Sequence, residues 1–117
     1  MKALLVEDNP EKAQTIIDVL EDIGFEVLHV WAFKEFQIAI NNAEFDLLVT
    51  DNFLPMFSGG RPLGRAFEVF TEYRRRGGES PVIQISGNPT FVDGVKSYVS
   101  DALDVWSAAL RKVWDDG

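Results

Sequence analysis

The chain contains no cysteine, and its lone histidine is His29. Without cysteine there is no disulfide, no thiolate metal site and no cysteine nucleophile. Positive charge is scarce as well: 11 lysines and arginines stand against 19 aspartates and glutamates, for a formal net charge of −8. Nucleic-acid and anionic membrane surfaces require basic patches, so neither is expected as a partner. No apolar stretch approaches the roughly 18 residues of a membrane span, and the N-terminus lacks a signal-peptide apolar core ahead of a small-residue cleavage site. The expectation is a cytoplasmic protein. Repeats, linkers and low-complexity tracts are missing too, so residues 1–117 read as one domain with a real core.

What is present is a set of short apolar runs, each stopping on a polar group. Ala3-Leu4-Leu5-Val6 runs into Glu7-Asp8, Leu47-Leu48-Val49-Thr50 into Asp51, and Val82-Ile83-Gln84-Ile85 into Ser86. Runs of this length, nearly continuous in apolar character, read as strands buried on both faces of a parallel sheet. Helix-patterned segments alternate with them, which makes a βαβ arrangement whose ligands sit beyond the carboxyl ends of the strands. Three strands therefore deliver Glu7, Asp8, Asp51 and Ser86 to one edge, and that edge is acidic.

The helices are legible from caps and stripes. Asn9-Pro10-Glu11 opens the first, with Asn9 as cap and proline in the first helical position. Ala13, Ile16, Ile17, Leu20 and Ile23 form its apolar stripe, and Gly24 suits its end. Phe25 to Trp31 reads as the second strand. Phe33, Phe36, Ile40 and Ala43 stripe the second helix as far as Asn41-Asn42, followed by a third strand over Phe45 to Thr50. Pro55 to Pro62 is predicted as a loop. Leu63, Phe67, Phe70 and Tyr73 stripe a third helix ending before Gly77-Gly78, and Pro81 to Ile85 is the fourth strand. Leu103, Trp106, Leu110, Val113 and Trp114 mark the last helix. Between them, Gly94 to Ser100 reads as a fifth strand, which leaves fewer residues than the dozen or more that a parallel crossover normally takes. A rival pattern spaces Val92, Val95, Val99, Ala102, Trp106, Ala109 and Val113 as one long helix. Gly94, Ser97, Tyr98 and Ser100 are poor interior helix residues, so the strand is preferred and the connecting helix is stunted or missing.

Taken together, these residues resemble the response-regulator receiver domain, a (βα)5 module phosphorylated on aspartate, over nearly the whole chain. Glu7 and Asp8 match its acidic pair, Asp51 its phosphoacceptor, Leu54, Pro55 and Gly59 the residues that follow the acceptor, and Ser86 its hydroxyl after the fourth strand. The resemblance implies a flavodoxin-like, doubly wound α/β fold with strand order 2-1-3-4-5, here with a reduced or missing fourth helix. It implies Mg2+ held by the side chains of Asp8 and Asp51 and the backbone carbonyl of Phe53, with Glu7 close by. Ser86 would hydrogen-bond a phosphoryl oxygen and act as a switch, with Tyr98 following it inward. The implied partners are a histidine kinase or phosphotransfer protein and a downstream protein target, with the chain acting as a monomer or homodimer and not as an enzyme.

One departure concerns charge. The family's lysine after the fifth strand falls on Asp101. At about 6 Å from Asp51 and an effective dielectric near 20, a second carboxylate costs roughly 3 kcal/mol of repulsion. Lys96 would lie at the far end of the strand, roughly 16 Å of rise away. Arg61, in the loop after Gly59-Gly60, is the candidate substitute cation, and Asp101 alternatively caps the last helix. Four or five carboxylates converging without a lysine predict divalent-metal binding. Two rival readings are a pseudo-receiver that binds protein without phosphorylation, and an aspartate-nucleophile phosphatase. The phosphatase wants an aspartate two positions after the nucleophile, where Phe53 stands. His29, Trp31, Trp106 and Trp114 read as packing residues, with Trp114 an alternative dimer-face residue, and Arg74-Arg75-Arg76 as a solvated helix end.

Overall fold

In the computed structural model, which describes residues 1–116 and side chains through Val113, five parallel strands form the central sheet. They are β1 (Lys2–Val6), β2 (Glu26–Val30), β3 (Leu47–Thr50), β6 (Val82–Ser86) and β7 (Lys96–Val99), in the order β2-β1-β3-β6-β7. Two short strands, β4 (Phe53–Leu54) and β5 (Leu63–Gly64), pair antiparallel as a separate ribbon. The helices are α1 (Pro10–Ile23), α2 (Phe33–Asn42), α3 (Ala66–Arg75) and α4 (Leu103–Asp116). Counting sheet strands alone, the order is 2-1-3-4-5, the doubly wound, flavodoxin-like arrangement expected from the sequence.

The period-two geometry of a strand sends successive side chains to opposite faces, and here both faces are covered. Leu4, Val6 and Leu48 join a core with Phe33 and Phe36 of α2 and Ala66, Val69 and Tyr73 of α3. Ala3, Leu5, Leu47, Val49, Ile83 and Ile85 join the other, with Ala13, Ile16 and Leu20 of α1 and Trp106 and Leu110 of α4. Each fully buried Leu or Ile contributes about 1.5–3 kcal/mol, so these two layers hold the strand ends in register. Asn9 caps α1 through its side-chain oxygen, which accepts from the Glu11 and Lys12 amides. Gly24 closes the helix at φ 119°, a left-handed position that a side chain would strain.

No helix connects β6 to β7. Residues 87–95 run irregularly, and Val92 and Val95 supply the apolar cover that a helix would otherwise give. The polar side chain that makes this workable is Gln84, fully buried in the middle of β6. Its amide nitrogen donates to the Thr90 carbonyl at 2.8 Å and the Ser97 hydroxyl at 2.7 Å, while its oxygen accepts from the Thr90 amide at 3.1 Å. The long-helix alternative is excluded by β7. The fifth strand starts later than expected, at Lys96, because Gly94 is spent in a turn at φ 92° that is closed by the Val95 amide on the Val92 carbonyl.

Other expectations need correction. Leu63 belongs to the ribbon and Phe67 to the solvent face of α3, both exposed; the buried stripe is Ala66, Val69 and Tyr73 with Phe70 half-buried. The apolar residues at 63, 67 and 70 imitate a helical period that the ribbon interrupts. Trp31 and Leu103 are exposed rather than core. The residue-114 dimer-face expectation lies outside the described side chains. Arg74 is not a free surface charge: it donates to the Gly78 and Ser80 carbonyls and lies over the Phe70 and Tyr73 rings, whereas Arg75 and Arg76 pair with Glu72.

Candidate functional site

The register of the three inner strands decides where the acidic groups go. Val6 pairs with Thr50 and Thr50 with Gln84, so Glu7-Asp8, Asp51 and Ser86 leave the sheet side by side at its carboxyl edge. Carboxylate oxygens of Glu7, Asp8 and Asp51 lie within 4.8 Å of one another. Three carboxylates converge among the described residues, not four or five, because Asp101 stays outside the cluster.

Asp51 is 8% exposed, and one of its oxygens is engaged. Oδ1 accepts from the Asn52 amide at 2.7 Å and pairs with Lys12 Nζ at 3.2 Å. Oδ2 has no hydrogen bond or ion pair among the described residues. Glu7 is fully buried. Its Oε2 accepts from the Asn9 amide at 3.2 Å; its Oε1 lies 2.7 Å from Lys12 Nζ but has no aligned hydrogen-bond donor. Burial first, and then the charge of Asp51, push the Glu7 carboxyl up from 4.5 to about 7, against the opposing pull of Lys12. Asp8, half-buried, is raised by the same two causes in the same order. Three carboxylates within 4.8 Å of one another are hard oxygen donors of the kind that suit a divalent cation of the magnesium type.

Phe53 lies in β4. The Arg65 amide donates to the Asn52 carbonyl, which makes Phe53 and Gly64 a non-hydrogen-bonded pair and leaves the Phe53 carbonyl outside the ribbon ladder. Ser86 is buried at the end of β6, and its hydroxyl accepts from the Asn88 amide at 3.2 Å, a turn-forming bond. Tyr98 is half-buried and packs on the α1/α4 core face. Lys96 begins β7, at the opposite end from the site.

The cation at Asp51 is Lys12, not Arg61. Arg61 is exposed and makes no ion pair among the described residues. Asp101 is exposed and caps no amide among the described residues; the Ala102 carbonyl takes the first amides of α4, from Val105 and Trp106. Sequence reasoning passed over Lys12, although a signal was there: it is basic in the first turn of a helix, where the dipole favours acidic residues. Asn52 was also missed. Buried beside Asp51, it donates through Nδ2 to the Asn88 carbonyl at 3.0 Å and the Thr90 hydroxyl at 2.8 Å. Its Oδ1 accepts from the Ala66 amide at 3.1 Å. His29 Nε2 lies 2.8 Å from the Glu7 carbonyl; a carbonyl only accepts, so that nitrogen carries the proton.

The molecule is a doubly wound α/β module whose parallel sheet carries a carboxylate cluster at its carboxyl edge. The chain has the fold of response-regulator receiver domains, which its structural neighbours share over nearly the whole length. A receiver-domain protein from Bacillus halodurans superposes with a TM-score of 0.79 at 19% identity, covering 97% of this chain and 96% of that one. Response regulator TrrA from Thermotoga maritima, solved in complex with Mg2+ and beryllofluoride, gives a TM-score of 0.74 at 18% identity. The receiver domain of a Pseudomonas aeruginosa sensor histidine kinase, solved with magnesium in its active-site cleft, gives 0.71 at 21% identity over 97% of each chain. No family model and no curated protein sequence matches the chain. No described helix is long and apolar enough to cross a membrane.

Proposed function

We propose that this chain is a phosphoacceptor receiver domain that takes a phosphoryl group on Asp51 and signals by protein contact. The observation that carries the reading is Asp51 itself: Oδ1 is fixed by an amide and an ammonium, Oδ2 is unengaged, and two further carboxylates lie within 4.8 Å. In the reaction, the Oδ2 electron pair forms a bond to phosphorus as the bond to the donor breaks. For a phosphohistidine donor that bond is P–N, and the leaving imidazole keeps the electron pair and takes a proton. Glu7, Asp8, Asp51 and the Phe53 carbonyl would hold Mg2+, which supplies positive charge against the incoming phosphoryl oxygens. The Ser86 hydroxyl, held beside the acceptor strand, would exchange its turn bond for a phosphoryl oxygen. The donor would be a histidine kinase or phosphotransfer protein, and the modified surface would be read by a protein target in the cytoplasm. Such a domain signals and does not turn over a substrate pool.

The test is incubation with a small phosphoryl donor and Mg2+, followed by intact mass. A phosphate-sized gain that disappears in Asp51→Asn supports the reading; steady phosphate release from a substrate would instead revive the phosphatase. The second reading, a pseudo-receiver, is favoured by the exposed Asp101 at the lysine position and by the irregular 87–95 segment. Its mark is absence of any mass gain with every donor tried, together with partner binding unchanged by Asp51→Asn.

A further inference from the structure

We propose that Lys12, carried on α1, is the phosphoryl-binding cation of this site. The inference rests on the phosphoacceptor reading and names the group that would make it workable with Asp101 where a lysine is expected. Three observations support it. Lys12 Nζ already bridges the site, 2.7 Å from Glu7 Oε1 and 3.2 Å from the acceptor's Oδ1. Its placement breaks a local rule, since a positive side chain in the first turn opposes the helix dipole. A residue that contradicts local preference without serving the core is characteristic of a functional position. Finally, Lys12 and Asp101 line one groove of about 330 Å3 with Asn9, Ser100 and Trp106. Lys12 on α1 and the residue at position 101 therefore border one groove. Its flexible four-carbon stem allows a short excursion from the carboxylates to a new anion.

Before modification Lys12 neutralises the Glu7–Asp51 pair; afterwards it pairs with a phosphoryl oxygen on Asp51. Because it holds the same oxygens that a cation would use, it also opposes metal entry into the unmodified site. The two roles predict opposite effects of one substitution. Beryllofluoride serves as the phosphoryl probe and Mg2+ alone as the metal probe, both followed by tryptophan fluorescence and checked by calorimetry. Lys12→Gln is expected to weaken beryllofluoride uptake at least tenfold at saturating Mg2+, while Mg2+ alone binds two- to fivefold more tightly. Lys12→Arg is expected to restore beryllofluoride uptake to within about threefold of wild type.

Unchanged beryllofluoride affinity in Lys12→Gln overturns the assignment and leaves the receiver reading standing. Parallel weakening of both probes without rescue by arginine also overturns it, as a merely structural lysine would behave that way. If wild type takes up neither probe, the receiver reading fails and the Lys12 role with it. Should Lys12→Gln not fold, Glu7→Gln/Lys12→Gln, which leaves no unpaired charge on Glu7, is compared with Glu7→Gln alone; equal beryllofluoride affinity in the two refutes the role.

Discussion

Replacing Asn52 with alanine tests how the irregular 87–95 segment is held. Asn52 is 2% exposed and its side chain makes three hydrogen bonds: to the Asn88 carbonyl, to the Thr90 hydroxyl, and from the Ala66 amide. These bonds differ in worth. Ala66 is buried in the first turn of α3, and no side chain at the preceding Arg65 caps that helix. Loss of Asn52 Oδ1 therefore leaves a buried N–H without an acceptor, at a cost of about 1–3 kcal/mol. Asn88 and Thr90 are exposed and can rehydrate, so their two bonds together add roughly 1 kcal/mol. Asn52→Ala should lose about 3 kcal/mol, a large part of the roughly 5–15 kcal/mol typical of a domain. With an m-value near ~1.5 kcal/mol/M, the urea midpoint should fall by about 2 M. Hydrogen exchange would assign the loss, with the Ala66 amide and the 87–95 amides losing protection first. A midpoint shift below about 0.5 M, with Ala66 protection intact, would refute the account.

Wild-type stability in a metal chelator should fall as pH rises from about 4.5 to about 7, because the folded state holds the Glu7 proton more tightly than the unfolded chain does. That interval is worth about 3 kcal/mol, fully present below the lower value and gone above the upper one; Glu7→Gln should flatten the slope, and identical slopes in the two proteins would disprove it. Gly94→Ala should lower the melting temperature by several degrees, since Gly94 has φ 92° and a Cβ there would stand 2.8 Å from Phe70 Cζ; an unchanged melt would show that the turn relaxes freely. Arg61→Ala should leave beryllofluoride uptake within about twofold of wild type, as the exposed guanidinium makes no ion pair with the site, and a tenfold loss would return the cation role to the loop.

Much of the architecture was readable because strands buried on both faces leave a strong signature. Ala3–Val6, Leu47–Val49 and Val82–Ile85 are almost free of polar residues, and their ends therefore located Glu7, Asp8, Asp51 and Ser86 together. Asn9, Pro10 and Gly24 bounded α1 through local chemistry alone. What stayed hidden depends on contacts between residues distant in sequence. Lys12 looks like a surface residue of an amphipathic helix until β3 places Asp51 beside it. Asn52 looks like a loop asparagine until residues 88 and 90 arrive, 36 and 38 positions later. Gln84 was absorbed into an apolar run, although a glutamine between two isoleucines hints at a polar neighbour across the sheet. Leu63 and Phe67 imitate a third-helix stripe because they continue the spacing of Phe70 and Tyr73 by coincidence, and the ribbon that removes Leu63 from the helix is only two residues a side.

The missing helix changes what lies next to Asp51. Asp51 Oδ1 accepts from the Asn52 amide, and the Asn52 side chain reaches Asn88 and Thr90. Ser86 reaches the same segment from the other side, its hydroxyl accepting from the Asn88 amide. Asn88 is thus bonded through its carbonyl to Asn52 and through its amide to Ser86, the expected switch residue. Shared contact is not coupling; coupling requires that the two ends bias one element between arrangements. A double-mutant cycle on unfolding free energy measures this directly. If residues 87–90 respond as one unit, Asn52→Ala and Ser86→Ala release the same turn, and the double variant should lose less than the sum by about 0.5–1.5 kcal/mol. Additivity within about 0.3 kcal/mol would mean that the two bonds hold the segment independently. In that case a change at Ser86 would not be transmitted to the residues that Asn52 anchors.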